Sequence, residues 1–397
     1  MLSLSLGLPE FKVIRHDKFS DYHLISIEKN SWEERCIHCG FLSSSVHDRR
    51  TRKVRDIPIL NEDVYLLIHV KRYKCPNCLE IFSERYESVL PRKHQTNHLR
   101  EYLYQLCLVT TIEYVSSKMN IPYTTLERIF YSVAEEEETK HQETLWEMMD
   151  SDHLVLSLDE VAVRKDHQYV TVLLDVQLVS VLGMIHQRTA ESTKPLLHQH
   201  VLPKEAVQTV VMDMWEPFHK AVQSMFPWAT MVVDKYHVIQ KVTQALDDVR
   251  KKHSKLKQAR YLFLKGYEKL TDQQKMKLHE PLEEHSGLAC AYYLEEKLRD
   301  FYQIQDYDNT LSALEEWIQL AWSSPFPSFH GVAKTLERWK AEILQYFFCP
   351  YTNGKTEGTN HQIKNIKRRA YGYRNLARFR QRVFLECTGN TSKHHAA

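Results

Sequence analysis

The stretch Leu154-Val155-Leu156-Ser157-Leu158-Asp159-Glu160 opens a strand-rich block that extends to Val233 and decides the fold. Leu154 to Leu158 is a short continuous apolar run, which reads as a buried strand. Tyr169 to Leu174 and Val179 to Ile185 read as two more, joined by a short turn at Asp175 to Leu178. A polar, helix-permissive stretch leads to a fourth strand, Val207 to Met212, then a helix from Pro217 to Met225 and a last strand, Ala229 to Val233. Three strands in meander followed by alternating helices and strands predict a mixed α/β sheet with helices on its faces.

That order matches an RNase H-like mixed sheet, in which the first and fourth strands lie side by side. Asp159 then ends the first strand, and Asp213, in Val210-Val211-Met212-Asp213-Met214, ends the fourth. Both carboxylates emerge at one edge of the sheet. Few hard oxygen ligands, with room left for water and phosphate oxygens, suit a pair of Mg2+ or Mn2+ ions. A single Asp at a strand end is commonly a turn or cap residue, but two on neighbouring strands weaken that reading. Asp234 also follows an apolar strand and competes with Asp213 as the second acid, although strand order favours Asp213. Asp234 and His237 are then placed beside the metal ligands in support, or serve as a strand-end cap with a packed histidine.

A third carboxylate must come from elsewhere in the sequence. Glu357 stands in Asn353-Gly354-Lys355-Thr356-Glu357-Gly358-Thr359-Asn360, where Asn and Gly mark a turn and His361 to Tyr371 reads as a basic helix. Early on that helix it could close the metal site, leaving Lys364, Lys367, Arg368, Arg369 and Arg374 to meet DNA phosphates. The remaining region, about 240–345, reads as a helical insertion, with Trp317, Trp322 and Trp339 as core residues.

Outward from this block, 397 residues with 43% hydrophobic content predict several domains: an N-terminal segment 1–30, a zinc ribbon 31–90, a DNA-binding region 91–150 and a catalytic domain 151–397. A net charge of +2 decides nothing about partners, so nucleic-acid binding must be read from local clusters. Met1 to Pro9 is too short for a signal peptide or anchor, and no later stretch is long and apolar enough to span a bilayer. A cytoplasmic protein without a membrane partner is expected.

Four of the eight cysteines form Cys36-Ile37-His38-Cys39 and Cys75-Pro76-Asn77-Cys78. Two C-x-x-C knuckles supply the four thiolates of a closed tetrahedral zinc site. Between them the chain reads as a hairpin, Arg52 to Ile59 and Val64 to Tyr73, turning at Asn61-Glu62-Asp63. Arg49, Arg50, Arg52, Lys53, Arg55, Lys71, Arg72 and Lys74 give it a basic excess, either a phosphate-contacting face or an ordinary solvated one. With four thiolates present, His38, His47 and His69 are surface or packing residues.

Apolar positions from Leu99 to Val109 and from Ile112 to Met119 predict two helices. Asn120-Ile121-Pro122 breaks the second, and Thr124 to Val133 makes a third. With Leu126, Ile129 and Phe130 turned inward, Tyr123, Thr124, Thr125 and Arg128 face outward, the form of a helix-turn-helix that reads a DNA major groove. The acidic run Glu135 to Glu138 reads as a solvated helix face or linker.

The run from Thr356 through Glu357, Asn360, Lys364, Arg368 and Arg369 to Ala370-Tyr371-Gly372-Tyr373-Arg374-Asn375 resembles the C-terminal signature of the ISL-three group of insertion-sequence transposases. Val232-Val233-Asp234-Lys235-Tyr236-His237-Val238 resembles that group's aspartate-x-x-histidine motif, and the paired cysteines and following helices resemble its zinc ribbon and helix-turn-helix. The resemblance implies DNA transposition by a DDE triad, with Glu357 as its third acid. It also implies double-stranded DNA partners, namely terminal repeats and target, and a homo-oligomer assembled on them. A non-catalytic DNA-binding regulator derived from a transposase is the alternative, with a structure-selective nuclease as a further rival.

Overall fold

The computed structural model describes residues 6–164, 168–253, 256, 259–349, 351 and 354–389. The expected turn residue Asn353 and the residues Met1 to Ser5 of the apolar N-terminus lie outside them. The chain divides into two compact units, Met1–Glu137 and Glu138–Ala397.

In the first unit, strands β1 (Phe11–Lys18), β2 (Tyr22–Lys29), β3 (Glu34–Arg35), β4 (Leu42–Ser43), β5 (Val46–Ile59), β6 (Glu62–Lys74) and β7 (Ile81–Ser83) are built. The main sheet runs β1-β2-β6-β5, with β7 also on β6, while β3 and β4 pair separately. Period-two alternation puts Val64, Leu66 and Ile68 of β6 on the inner face with Ile25, Ile27 and Val54. The hairpin turn falls at Leu60 and Asn61, both left-handed with φ of 51° and 67°, slightly earlier than the polar run suggested. β1 and β2 come from the first thirty residues, where the sequence indicated no element.

Helices α1 (Asn97–Val109), α2 (Ile112–Met119) and α3 (Tyr123–Met148) follow. Thr96 and Thr111 cap α1 and α2 by accepting the amides of Leu99 and Tyr114. Left-handed Asn120, φ 48°, ends α2. Helix α3 continues well past Val133, because the acidic run is part of it rather than a linker.

The second unit holds β8 (Leu154–Arg164), β9 (Gln168–Asp175), β10 (Ser180–His186), β11 (Val207–Met212) and β12 (Thr230–Val233), with α4 (Ala190–His200), α5 (Glu216–Met225) and α6 (Lys235–Arg250). The sheet order is β10-β9-β8-β11-β12. β9 is antiparallel to β8 and β10, and β11 is parallel to β8 and β12. One correction concerns Asp159: it does not end its strand, because β9 pairs on with β8 as far as Arg164 while β11 stops at Met212.

The sheet is buried on both faces. Leu156, Leu158, Met212 and Val233 pack on one side with α4, α5 and the insertion. Val155, Val211 and Val232 pack on the other with Ile363 and Ile366 of α13 (Gly354–Arg369) and Phe379 and Val383 of α14 (Leu376–Glu386). The insertion comprises α7 (Arg260–Leu264), α8 (Asp272–Glu284), α9 (Ser286–Phe301), α10 (Thr310–Ser323), α11 (Pro327–Arg338) and α12 (Lys340–Leu344); α13 and α14 close the unit. Trp317 and Trp339 are buried as expected, but Trp322 is 39% exposed and its indole N–H donates to Glu337 at 2.8 Å. Among the described residues no helix is long and apolar enough to cross a membrane.

Candidate active site and zinc centre

The two cysteine knuckles share one local geometry. In each, the residue after the second cysteine is left-handed: Gly40 at φ 75° and Leu79 at φ 64°. That bend aims backbone N–H groups at sulfur, so Cys36 Sγ accepts from His38 N and Cys75 Sγ from Cys78 N, each at 3.5 Å. Cys36 and Cys78 bring their sulfurs to 3.6 Å, and Cys39 and Cys75 to 3.5 Å. Thiolates at about 2.3 Å from a tetrahedral zinc would stand roughly 3.8 Å apart, so the set fits the ion. The Phe41 amide, then Asn77, lowers the Cys39 thiol to about 6, whereas Cys78, although the Glu80 amide opposes the shift, is pushed up to about 12 by burial and the adjoining sulfurs, the sign of four thiols crowded together without a cation. None of His38, His47 and His69 joins the four sulfurs.

The cations around the ribbon fall into two groups. Arg52 bonds the carbonyls of Leu90 and Lys93, Arg55 pairs with Asp63 at 2.6 Å, and Arg72 pairs with Asp48 at 2.7 Å. Lys71 is buried, donating to the carbonyls of Lys29 and Ser31. Arg49, Arg50, Lys53 and Lys74 remain exposed. At the start of α3, Tyr123, Thr124 and Arg128 are exposed and Thr125 is half-buried.

In the second unit, strand register assembles the acids. Leu158, Met212 and Val233 are register partners across β8, β11 and β12, and each is followed by an aspartate: Asp159, Asp213 and Asp234. Within β8, alternation turns Asp159 from the insertion side toward the α13 side, while Asp213 and Asp234 directly follow the last residues of β11 and β12. Asp159, Asp213 and His237 each offer an atom within 4.8 Å of the others. His237, on the first turn of α6, sets Nε2 2.6 Å from Asp213 Oδ1 and 4.0 Å from Asp234 Oδ2. Asp234 is buried, 3% exposed, and lines a cavity with Asp159 and His237, whose lining does not include Asp213.

Charge crowding marks this site. Burial, then the Asp213 charge, pushes the Asp159 carboxyl up to about 7, although the Glu160 amide and Asn360 oppose the shift. Burial alone would lower the His237 imidazole, but Asp213, Asp159 and Asp234 together hold it above its ordinary value. A divalent cation would supply the missing counter-charge.

Glu357 lies in the first turn of α13 with its side chain 55% exposed. It lines a cavity of 610 Å³ together with Asp159, Asp234, His237, His361 and Lys364, but its carboxylate stands outside the close cluster. Two residues with no signal of their own in the sequence enter the site. Asn360 donates its amide to Asp159 Oδ2 while its own buried Oδ1 has no hydrogen-bond partner. Glu160 lines the cavity and pairs at 3.0 Å with Arg188, whose guanidinium lies over the rings of Tyr169 and Trp215.

The basic stretch after Glu357 is less uniformly available than its composition suggests. Lys364, Arg368 and Arg374 are exposed. Lys367 reaches the Ala162 carbonyl at 3.5 Å, Arg369 bonds both carboxylate oxygens of Glu386, Arg382 pairs with Glu386 at 3.0 Å, and Arg380 pairs with Glu138 at 2.6 Å.

Both regions of the chain have matches among known proteins. Residues 156–383 match the family described as transposase, in its ISL3 (ISL-three) DDE form, and residues 32–78 match the zinc-finger of transposase IS204/IS1001/IS1096/IS1165. The chain is 28% identical over 375 residues to the transposase for insertion sequence element IS1001 of Bordetella parapertussis, covering 89% of each chain. It is 24% identical over 253 residues to the transposase for insertion sequence element IS1557 of Mycobacterium tuberculosis, covering 55% of this chain and 56% of that one. Among solved structures, the Drosophila P element transposase strand transfer complex gives a TM-score of 0.32 at 10% identity, covering 72% of this chain and 91% of that one, a likeness too distant to argue from. With more than half its length matched by the catalytic-domain model and its cysteines inside the zinc-finger match, the chain belongs to the ISL3 family of insertion-sequence transposases.

Proposed function

We propose that this transposase binds the terminal inverted repeats of its element and cleaves and joins DNA through Asp159, Asp213 and Glu357. The observation that carries the reading is the strand register: it delivers Asp159 and Asp213 side by side at one end of the parallel strands, beneath the helix that bears Glu357. The order β10-β9-β8-β11-β12, with the second strand antiparallel to its neighbours, supports an RNase H-like catalytic domain.

The carboxylates of Asp159, Asp213 and Glu357 would hold Mg2+ or Mn2+, which when bound polarise the phosphodiester and lower the pKa of the attacking hydroxyl. Asp159 and Asp213 are fixed by the sheet, so their spacing is set before DNA arrives. His237 pairs with Asp213 at 2.6 Å, and the surrounding acids hold its imidazole above its ordinary value. Asp234 backs His237, which favours Asp213 over Asp234 as the second acid. Exposed on its first turn, Glu357 is suited to complete the set with substrate in place.

Recognition is assigned to the first unit. Helices α2 and α3, joined at Asn120, have the form of a helix-turn-helix, with Tyr123, Thr124, Thr125 and Arg128 at the base-reading end of α3. Structural zinc holds the two knuckles beside it in sequence. Processing two element ends calls for two active sites, so the working form is a homo-oligomer on double-stranded DNA. The test is magnesium-dependent nicking of a labelled terminal-repeat duplex by wild type and Asp159→Asn, with binding followed in parallel.

A further inference from the structure

We propose that an exposed row on α13 leads one DNA strand out of the catalytic cavity to Tyr371, whose ring stacks on an unpaired base. The inference rests on the transposition reading above and adds a base-binding position to it.

Residues 357, 361, 364 and 368 follow the four-three-four spacing of a single helix face, and Glu357, His361, Lys364 and Arg368 are all exposed there. Ile363 and Ile366, on the opposite face, are buried against the sheet. The first three of the row line the catalytic cavity. From Glu357 to the turn after α13 the helix rises roughly 20 Å at 1.5 Å per residue. That is at most about six nucleotides, taking the duplex rise of roughly 3.4 Å each, and fewer if the strand is extended.

Tyr371 stands at the end of the row. It is 98% exposed and adopts a left-handed backbone, φ 53°. An aromatic residue seldom takes that conformation, and Gly372 beside it, φ 100°, already supplies the freedom that ending a helix requires. The position is held firmly: Tyr371 N–H donates to Arg368 O and Gly372 N–H to Lys367 O, both at 3.0 Å. Tyr373, two residues on, is instead packed on Phe379 with ring centroids 4.9 Å apart. A large ring presented to solvent on a fixed, strained turn, at the end of a row that includes Lys364 and Arg368, fits a flat partner joined to an anionic backbone. Nucleic-acid bases are such partners.

The experiment compares full-length wild type, Tyr371→Ala and Tyr371→Phe for binding to an oligothymidylate of about twenty nucleotides and to an abasic strand of the same length. Tyr371→Ala should weaken oligothymidylate binding about ten-fold, within the range of base–aromatic stacking, and leave abasic binding unchanged. Tyr371→Phe should keep wild-type affinity, because the ring and not the hydroxyl is used. Equal affinity of wild type and Tyr371→Ala for oligothymidylate, or an equal loss on both strands, overturns the stacking role alone. If wild type binds no DNA, the transposition reading fails with it. Tyr371 touches little else, so its removal does not threaten the fold.

Discussion

The side-chain amide of Asn360 donates to the carboxylate of Asp159, joining positions 201 residues apart in sequence. Both groups are buried, at 6% and 8% exposure, so the bond fixes one carboxylate and also seats α13 against β8. A helix thus carries Glu357 on its exposed side and a clamp on the first acid on its buried side.

If that clamp orients Asp159 for metal, Asn360→Ala should raise the Mg2+ concentration needed for cleavage about 10- to 100-fold, with activity returning as metal is raised. A magnesium titration of cleavage rate reads this directly. Unchanged metal dependence would reduce Asn360 to a packing residue.

Zinc should be present at one ion per chain, held by Cys36, Cys39, Cys75 and Cys78. The sheet beside the knuckles has its own core of Ile25, Ile27, Val54, Leu66 and Ile68, so chelation should release the knuckles while most strand signal persists. Hydrogen exchange should accelerate first around residues 36–41 and 75–80. Elemental analysis finding no zinc in fresh, reduced protein contradicts the assignment.

Sequence preference should depend on the start of α3. Arg128→Ala should cost about 1–3 kcal/mol of discrimination between terminal-repeat and scrambled duplexes, if the guanidinium reads a base edge. Competition binding at fixed salt measures it. Equal binding of both duplexes by wild type would move recognition out of this region.

Cations of the C-terminal stretch should not behave alike. Neutralising Lys364 or Arg368 should lower the salt slope of DNA binding by roughly 0.9 and weaken all sequences equally. Arg369→Gln should leave the slope near its original value and lower the melting temperature, because Arg369 is engaged with Glu386. A fall in slope for Arg369→Gln matching that for Arg368→Gln would show that the ion pair opens on DNA.

Much of this arrangement was legible because it depends on local pattern. The apolar runs at Leu154 and Val207 marked strands, their trailing aspartates are the carboxylates that the register brings close together, and the doubled C-x-x-C marked the zinc knuckles. What escaped depends on pairing. Asp159 reads as a strand end, since polarity begins there, yet β9 carries β8 on to Arg164. Strands β1 and β2 escaped because the burial of Ile25 and Ile27 depends on β6, about forty residues on. The basic C-terminal run looked free because Glu138, which neutralises Arg380, lies 242 positions away. Asn360 was indistinguishable from any polar helix residue until α13 met β8.

The central claim is that Asp159, Asp213 and Glu357 act as one metal-binding set, and its most direct test is the rate of magnesium-dependent cleavage of a terminal-repeat duplex. Asp159→Asn, Asp213→Asn and Glu357→Gln preserve shape and remove charge, so each should lower the rate roughly a thousand-fold, a loss of about 4 kcal/mol of transition-state stabilisation. Duplex binding should survive in all three. Asp234→Asn should lose less, in keeping with its place behind His237; a complete loss there, with Asp213→Asn still active, would exchange the two aspartates. Near-normal cleavage and strand transfer by all three charge-removing variants would contradict the carboxylate mechanism itself.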